Sequence, residues 1–269
     1  MQGRGAYAYT GGKRFDPALP TVAFLHGALH DHSGWTLLAR WAAHHGHGVL
    51  AIDLPGHGRS DGPPLPDVES LADWLLALLD AAGVQQAALV GHSMGSLIAL
   101  EAAARAPQRA SRLVMIGTAY PMNVSQALFT TAREAPLAAI DRVNALCFST
   151  TAAKPSYPGP GAWLHGANRA LMRRMQARDP GINLFMHDFG VCDRYAHGLE
   201  AAAKVRCPVH FILGARDQMT APPATRDIAA ALKARVVTVP GGHSLIQEAP
   251  DAVLNALQAA LAPASEGKS

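Results

Sequence analysis

The sequence predicts an α/β protein with a mostly parallel, doubly wound sheet, and three observations support it. Short apolar runs of strand type recur along the chain at Thr21–Leu25, Val49–Ile52, Ala87–Val90, Leu113–Ile116, Val209–Leu213 and Val236–Val239. Runs without alternation are what strands covered on both faces require. Between them lie helical patterns, clearest in Asp67–Ala82, where Leu71, Trp74, Leu75, Leu78 and Leu79 recur at helical spacing before Gly83. Alternating strands and helices place the strands side by side in parallel. The third observation is the stretch Ala87–Arg105, read as strand, sharp turn and small-residue helix, with Gly91-His92-Ser93-Met94-Gly95 at the turn.

At the amino end, Ala6–Thr10 is a candidate edge strand, followed by Gly11-Gly12 and an irregular link. Thr21–Leu25 runs into His26-Gly27-Ala28-Leu29-His30-Asp31, and Gly34–His45 then reads as a helix. Val49–Ile52 leads into the glycine-rich loop Asp53-Leu54-Pro55-Gly56-His57-Gly58-Arg59-Ser60. Beyond Leu113–Ile116 the rhythm breaks. From about 120 to 204 no strand pattern appears, only helical stretches (Ser125–Cys147, Ala167–Arg178 and Asn183–Ala203) around a Pro/Gly-rich knot at Lys154–Gly161. The strand rhythm then returns, with helices at Ala224–Lys233 and Asp251–Leu261. This divides the chain into a core of residues 1–119 and 205–269 and a helical lid of residues 120–204.

Composition narrows the function classes. The chain has 269 residues, 49% hydrophobic and 16% charged, with a formal net charge of +3. That is a globular composition with too little positive charge for nucleic acid or an anionic membrane surface. The three cysteines are widely spaced, without a metal-type C-x-x-C pair, and fit free thiols in a reducing compartment. The first residues lack the apolar run of a signal peptide, so the expectation is a soluble cytoplasmic protein. His30-Asp31-His32 and His44-His45-x-His47 are read as loop and helix-end residues, and no metal or cofactor is expected. The oligomeric state is not legible.

G-x-S-x-G between a strand and a helix is the pattern of an exposed serine nucleophile on a strained turn. The glycines remove side chains that would collide across the turn, and the helix amino end favours developing negative charge. A serine hydroxyl needs a base, and the base an orienting group. Asp217 follows the strand ending at Leu213, and His243 follows the strand ending at Val239. Parallel strands bring Ser93, Asp217 and His243 to one sheet edge in the chain order Ser, acid, His. The oxyanion of a carbonyl substrate needs two N–H donors. The candidates are the amides of Met94 and Ala28, with Leu29 as the rival of Ala28.

These segments resemble the α/β-hydrolase fold family. The resemblance rests on His26-Gly27-Ala28, the Asp53–Ser60 loop, Gly91–Gly95, Gly214-Ala215-Arg216-Asp217 and Gly242-His243. It covers most of the chain outside the lid. It implies a sheet of that type with the lid inserted after the sixth strand. It also implies a serine hydrolase acting, without cofactor, on a small or medium carboxylic ester, lactone or thioester. Carbon–carbon bond hydrolases of vinylogous diketones share the pattern, as do non-catalytic receptors on the same fold. Ser96 stands where many relatives have a second glycine, and the amino terminus is short for the family's first two strands. A pocket for a small-molecule substrate is expected from Leu29, Met122, Phe129, Trp163, Met186, Phe189 and Leu245. The lid arginines Arg169, Arg173, Arg174 and Arg178 read either as a solvated face or as a site for an acidic substrate or carrier protein.

Overall fold

The computed structural model describes residues 5–149 and 163–262. The Lys154–Gly161 knot lies outside the described residues. Seven strands form one sheet: β1 (Ala8–Tyr9), β2 (Thr21–Leu25), β3 (Gly48–Ile52), β4 (Ala87–His92), β5 (Ala110–Ile116), β6 (Val209–Gly214) and β7 (Arg235–Val239). Their spatial order is β1-β3-β2-β4-β5-β6-β7. Only the β1–β3 pair is antiparallel.

Side chains of the central strands alternate between two cores. Ala23 and Leu25 of β2 join one cluster, and Val22 and Phe24 join the other. The first cluster is closed by α2 (Val68–Ala81) and α3 (Met94–Arg105), and the second by α1 (Thr36–His44) and α11 (Pro250–Leu261). Asp67 caps α2 by accepting the Ser70 N–H at 2.7 Å. The sheet is therefore wound on both faces.

Between β5 and β6 run α4 (Gln126–Glu134), α5 (Pro136–Cys147), α6 (Leu164–Gln176), α7 (Leu184–Arg194) and α8 (Gly198–Ala202). The insert thus follows the fifth strand of this chain, not the sixth. Among the described residues, β1 is the one strand before β2, with two residues, and residues 11–20 form no strand. The expected Ser125–Cys147 helix is two helices, because Pro136 holds Ala135 at φ −146°, ψ 74°, outside helical space. α4 to α7 and Leu29 share a third apolar cluster, which includes Phe129, Ile140, Val143, Met172 and Phe185. After β6 come α9 (Arg226–Ala231) and, past β7, a short α10 (Leu245–Glu248), which has too few residues to show a period. No helix among the described residues is long and apolar enough to cross a membrane.

The strand order fixes where a site can form. β2 lies between β3 and β4, so the chain leaves the carboxyl end of β2 toward one side and that of β4 toward the other. Parallel sheets open a crevice at such a switch point. The loop Gly27–Asp31 and Ser93 both lie there.

Candidate active site

Ser93 follows β4 directly and adopts φ 53°, ψ −122°. A serine rarely occupies this conformation, which costs about 1–3 kcal/mol and persists only where its surroundings enforce it. Two glycines enforce it by close approach. A Cβ on Gly91 would lie 2.1 Å from the Gly95 carbonyl oxygen, and one on Gly95 would lie 2.2 Å from that of Leu25. The Ser93 N–H donates to the Ile116 carbonyl at 3.0 Å, and the Ser96 hydroxyl donates to the Ser93 carbonyl at 2.6 Å. Ser96 therefore ties the turn through its own hydroxyl.

Asp217 and His243 come together at the ends of β6 and β7. The His243 Nδ1–H donates to Asp217 Oδ2 at 2.9 Å. Asp217 also accepts the Met219 and Thr220 N–H groups on Oδ1, both at 2.8 Å, and the Thr220 hydroxyl on Oδ2 at 2.7 Å. Burial opposes the carboxylate charge, yet His243 and the Thr220 donors outweigh it and hold its pKa well below the usual range. The acceptors fix the His243 ring with its proton on Nδ1 and Nε2 free. Under that ring, His92 Nε2–H donates to the His243 carbonyl at 2.9 Å. Burial and the neighbouring His243 lower the His92 pKa to about 3, so His92 is a neutral prop.

Ser93 and His243 line one cavity of about 60 Å³, together with Ala28 of the loop after β2. Of the residues expected in a pocket, Met122 and Phe189 line it. The other five go elsewhere. Leu29 and Phe129 are buried in the insert's own core, and Met186 packs against that core. Leu245 belongs to the core beneath the sheet, and Trp163 is 49% exposed. The lining is completed by Val124, Val143, Cys147, Met172, Cys192 and Met219, with His30, Asn123, Thr220 and Ser244 among its polar members. Cys147 is an inert part of this wall, since burial pushes its thiol up to about 12.

The amides follow from the same geometry. The Leu29 N–H is taken by the Asp188 carboxylate at 2.8 Å. The Ala28 and Met94 N–H groups meet no acceptor among the described residues. A Cβ on Gly27 would sit 3.1 Å from Ser93 Cβ, so the loop after β2 lies directly against the serine. The Met94 side chain belongs to the core, and its amide opens α3.

Arg169, Arg173, Arg174 and Arg178 of the insert each have a partner inside the chain. Arg169 and Arg173 both bond Asp141 on α5, with shortest contacts of 2.7 Å. Arg174 bonds Asp31 at 2.8 Å, and Arg178 donates to the Ser60 carbonyl at 2.7 Å. The histidine groups are likewise engaged. His30 bridges the Ala28 carbonyl and Asn168, His32 meets Asp53, and His45 meets the Trp41 carbonyl. Among the described residues no group of three His, Cys, Asp or Glu side chains is disposed to hold a metal.

Sequence reasoning missed Thr220, Asp188 and Glu248. Thr220 lies three residues after Asp217, the spacing at which a side chain and backbone close a turn around a carboxylate. Asp188 was legible as a carboxylate on an apolar helix face, between Phe185, Phe189 and Cys192 at helical spacing. Glu248 accepts the Gly242 N–H at 2.6 Å and the Ser149 N–H at 3.0 Å, tying the His243 loop to the insert. No local signal marks that tie.

A family model described as the alpha/beta hydrolase fold matches residues 20–250. Over 238 residues the chain is 28% identical to a putative carbamate hydrolase, RutD, of Klebsiella pneumoniae, covering 85% of this chain and 86% of that one. It is 44% identical over 72 residues to the dihydrolipoyllysine-residue acetyltransferase component of the acetoin cleaving system of Pseudomonas putida. That match spans 26% of this chain and only 20% of the relative's length. The enol-lactonase of Burkholderia xenovorans LB400 shares the fold with a TM-score of 0.81, over 97% of this chain and 98% of that one, at 23% identity. The matched span includes every strand from β2 to β7 together with Ser93, Asp217 and His243, and the chain is a hydrolase belonging to the alpha/beta hydrolase fold family.

Proposed function

We propose that the protein is a serine hydrolase that cleaves a small or medium carboxylic ester, lactone or thioester through an acyl-enzyme on Ser93. One observation carries this reading. Asp217 orients His243 at the wall of the same cavity that Ser93 enters from its strained turn.

His243 Nε2 takes the Ser93 hydroxyl proton as Oγ attacks the substrate carbonyl. Asp217 keeps the Nδ1–H tautomer and stabilises the imidazolium that forms. The carbonyl oxygen becomes an oxyanion, which the Ala28 and Met94 amides receive. The α3 amino end adds its favourable field. His243 returns the proton to the leaving oxygen or sulfur, the carbonyl re-forms, and the leaving group departs. A water, deprotonated by His243, then attacks the acyl-enzyme, and His243 returns that proton to Ser93 Oγ as the acid is released and Ser93 regenerated. Nucleophile, base and oxyanion donors are all groups of this chain, so the sequence of steps needs no cofactor.

The cavity supports a short, uncharged acyl group. Met122, Val124, Val143, Met172 and Phe189 give it an apolar wall, and no Arg, Lys, Asp or Glu lines it among the described residues. A volume of about 60 Å³ leaves little room for a long chain. Treatment with phenylmethylsulfonyl fluoride tests the assignment. Peptide mass mapping should find one sulfonyl group, on Ser93, with hydrolysis lost in proportion. Labelling elsewhere with activity retained would refute it.

A further inference from the structure

Behind the loop carrying Ala28 lies a buried charge cluster that the proposed chemistry does not use. Asp188 of α7 is fully buried, 0% exposed. Its Oδ2 accepts both the Leu29 N–H and His57 Nε2–H at 2.8 Å, and its Oδ1 lies 2.9 Å from His187 Nδ1. The other His57 nitrogen is 3.1 Å from the Pro55 carbonyl. Both ring nitrogens face acceptors, an arrangement that favours the doubly protonated ring. Burial by itself would lower the His57 pKa, but the Asp188 charge and bond raise it above the ordinary value. The same pairing, with help from His187, holds the Asp188 carboxyl ionised against its own desolvation. A buried anion that only accepts hydrogen bonds therefore stands behind the loop.

What it holds is an unfavourable backbone. Leu29 has φ 57°, one of three non-glycine residues with positive φ among the described residues, alongside Ser93 and Lys233. A bulky residue adopts this conformation only when its surroundings enforce it. The Leu29 side chain is locked in the insert's core with Phe185 and Phe189, and its N–H is locked by Asp188. The preceding amide, Ala28, is thereby left without an acceptor among the described residues, at the cavity wall.

We propose that Asp188 is a positioning residue for catalysis: by capturing the Leu29 N–H from the helical insert, it aims the Ala28 N–H at the oxyanion. This rests on the serine hydrolase reading. It makes the oxyanion donor a product of insert docking, rather than of the sheet alone.

The test compares Asp188→Ala and Asp188→Asn with wild type on p-nitrophenyl acetate, together with binding of a short alkylboronic acid as oxyanion mimic. An asparagine keeps an oxygen toward Leu29 and His57 and offers its N–H₂ to His187 Nδ1, so it should restore the geometry. Asp188→Ala should lower kcat by roughly 10- to 100-fold with KM within about threefold, up to the full loss of one oxyanion donor. Boronate affinity should fall in parallel, while Asp188→Asn stays within about fivefold of wild type. A folded Asp188→Ala protein with wild-type kcat and boronate affinity would overturn the proposal, as would a loss confined to KM. Should Asp188→Ala not fold, amide hydrogen exchange on the wild type decides. Leu29 should be protected in the free protein, and Ala28 should gain protection only with boronate bound. A fast-exchanging Leu29, or boronate protecting Leu29 in place of Ala28, would overturn it. Failure of the wild type to hydrolyse any ester would strike the serine hydrolase reading instead. The exchange rate of Leu29 in the free protein tests the Asp188 contact separately from that outcome.

Discussion

The sheet and the helical insert build two halves of one site by different means. On the sheet side, Ser93, Asp217 and His243 each stand just past a strand, and parallel topology alone brings them to one edge. On the insert side, no rule of topology puts Asp188 behind Leu29 or Ser149 against Glu248; single side chains reaching across do so. The sheet therefore gathers the candidate reacting groups through its backbone plan, and the insert holds loops and lines the cavity through individual contacts. The contrast predicts steep catalytic losses for changes on the sheet side. Changes on the insert side should give graded losses in which geometry and stability are separable.

The largest effect belongs to the sheet. Ser93→Ala should reduce ester turnover more than about ten-thousand-fold while the circular dichroism spectrum stays unchanged, and Asp217→Asn should come close to that loss by allowing the wrong His243 tautomer. An Asp217→Asn enzyme within tenfold of wild type would break the assignment of that side. Gly95→Ala probes the same turn through packing. Its Cβ would lie 2.2 Å from the Leu25 carbonyl oxygen, so the variant should fail to accumulate in folded form, as read by soluble yield and thermal melting.

The insert comes next. Asp188→Ala removes the buried acceptor of the Leu29 N–H and of His57, which should cost about 1–3 kcal/mol of stability in urea unfolding. Its pH dependence has a definite sign. The Asp188 pKa is depressed, so its contribution is present above the unfolded carboxyl value near 4 and is lost as pH falls below it. The His57 pKa is raised, so its contribution is complete below the unfolded value of about 6.5 and fades as pH climbs through the folded value. The stability difference between wild type and Asp188→Asn should accordingly peak between about pH 4 and 6.5. A difference that grew steadily above pH 7 would contradict the charged pair. The smallest effect belongs to the insert surface. Asp141, Arg169 and Arg173 are each about a third or more exposed, so replacing both arginines by alanine should leave kcat unchanged and the melting temperature nearly so.

The same contrast explains what could be read before the structure. Continuous apolar runs mark the buried strands and period-3.6 patterns mark the helices, and a parallel sheet converts strand ends into position, so the meeting of Ser93, Asp217 and His243 at one sheet edge was legible. The insert has no such conversion. Phe129, Met186 and Phe189 all sit on helices of the insert, and the pattern cannot say that Phe189 lines the cavity while Phe129 does not. The difference between the Ala28 and Leu29 amides was closed to the sequence for the same reason: the group that takes the Leu29 N–H is Asp188, 159 residues further along. The lone carboxylate on an apolar face was the available clue, and it indicates burial without naming the partner.

The central claim is that Ser93 attacks a short acyl group in a cavity closed by the insert. A p-nitrophenyl ester series from acetate to decanoate, run on wild type and Ser93→Ala, tests it most directly. Turnover should be highest for the shortest acyl groups, fall steeply with chain length, and be absent from Ser93→Ala. Equal turnover by Ser93→Ala, or a preference for decanoate, would contradict it.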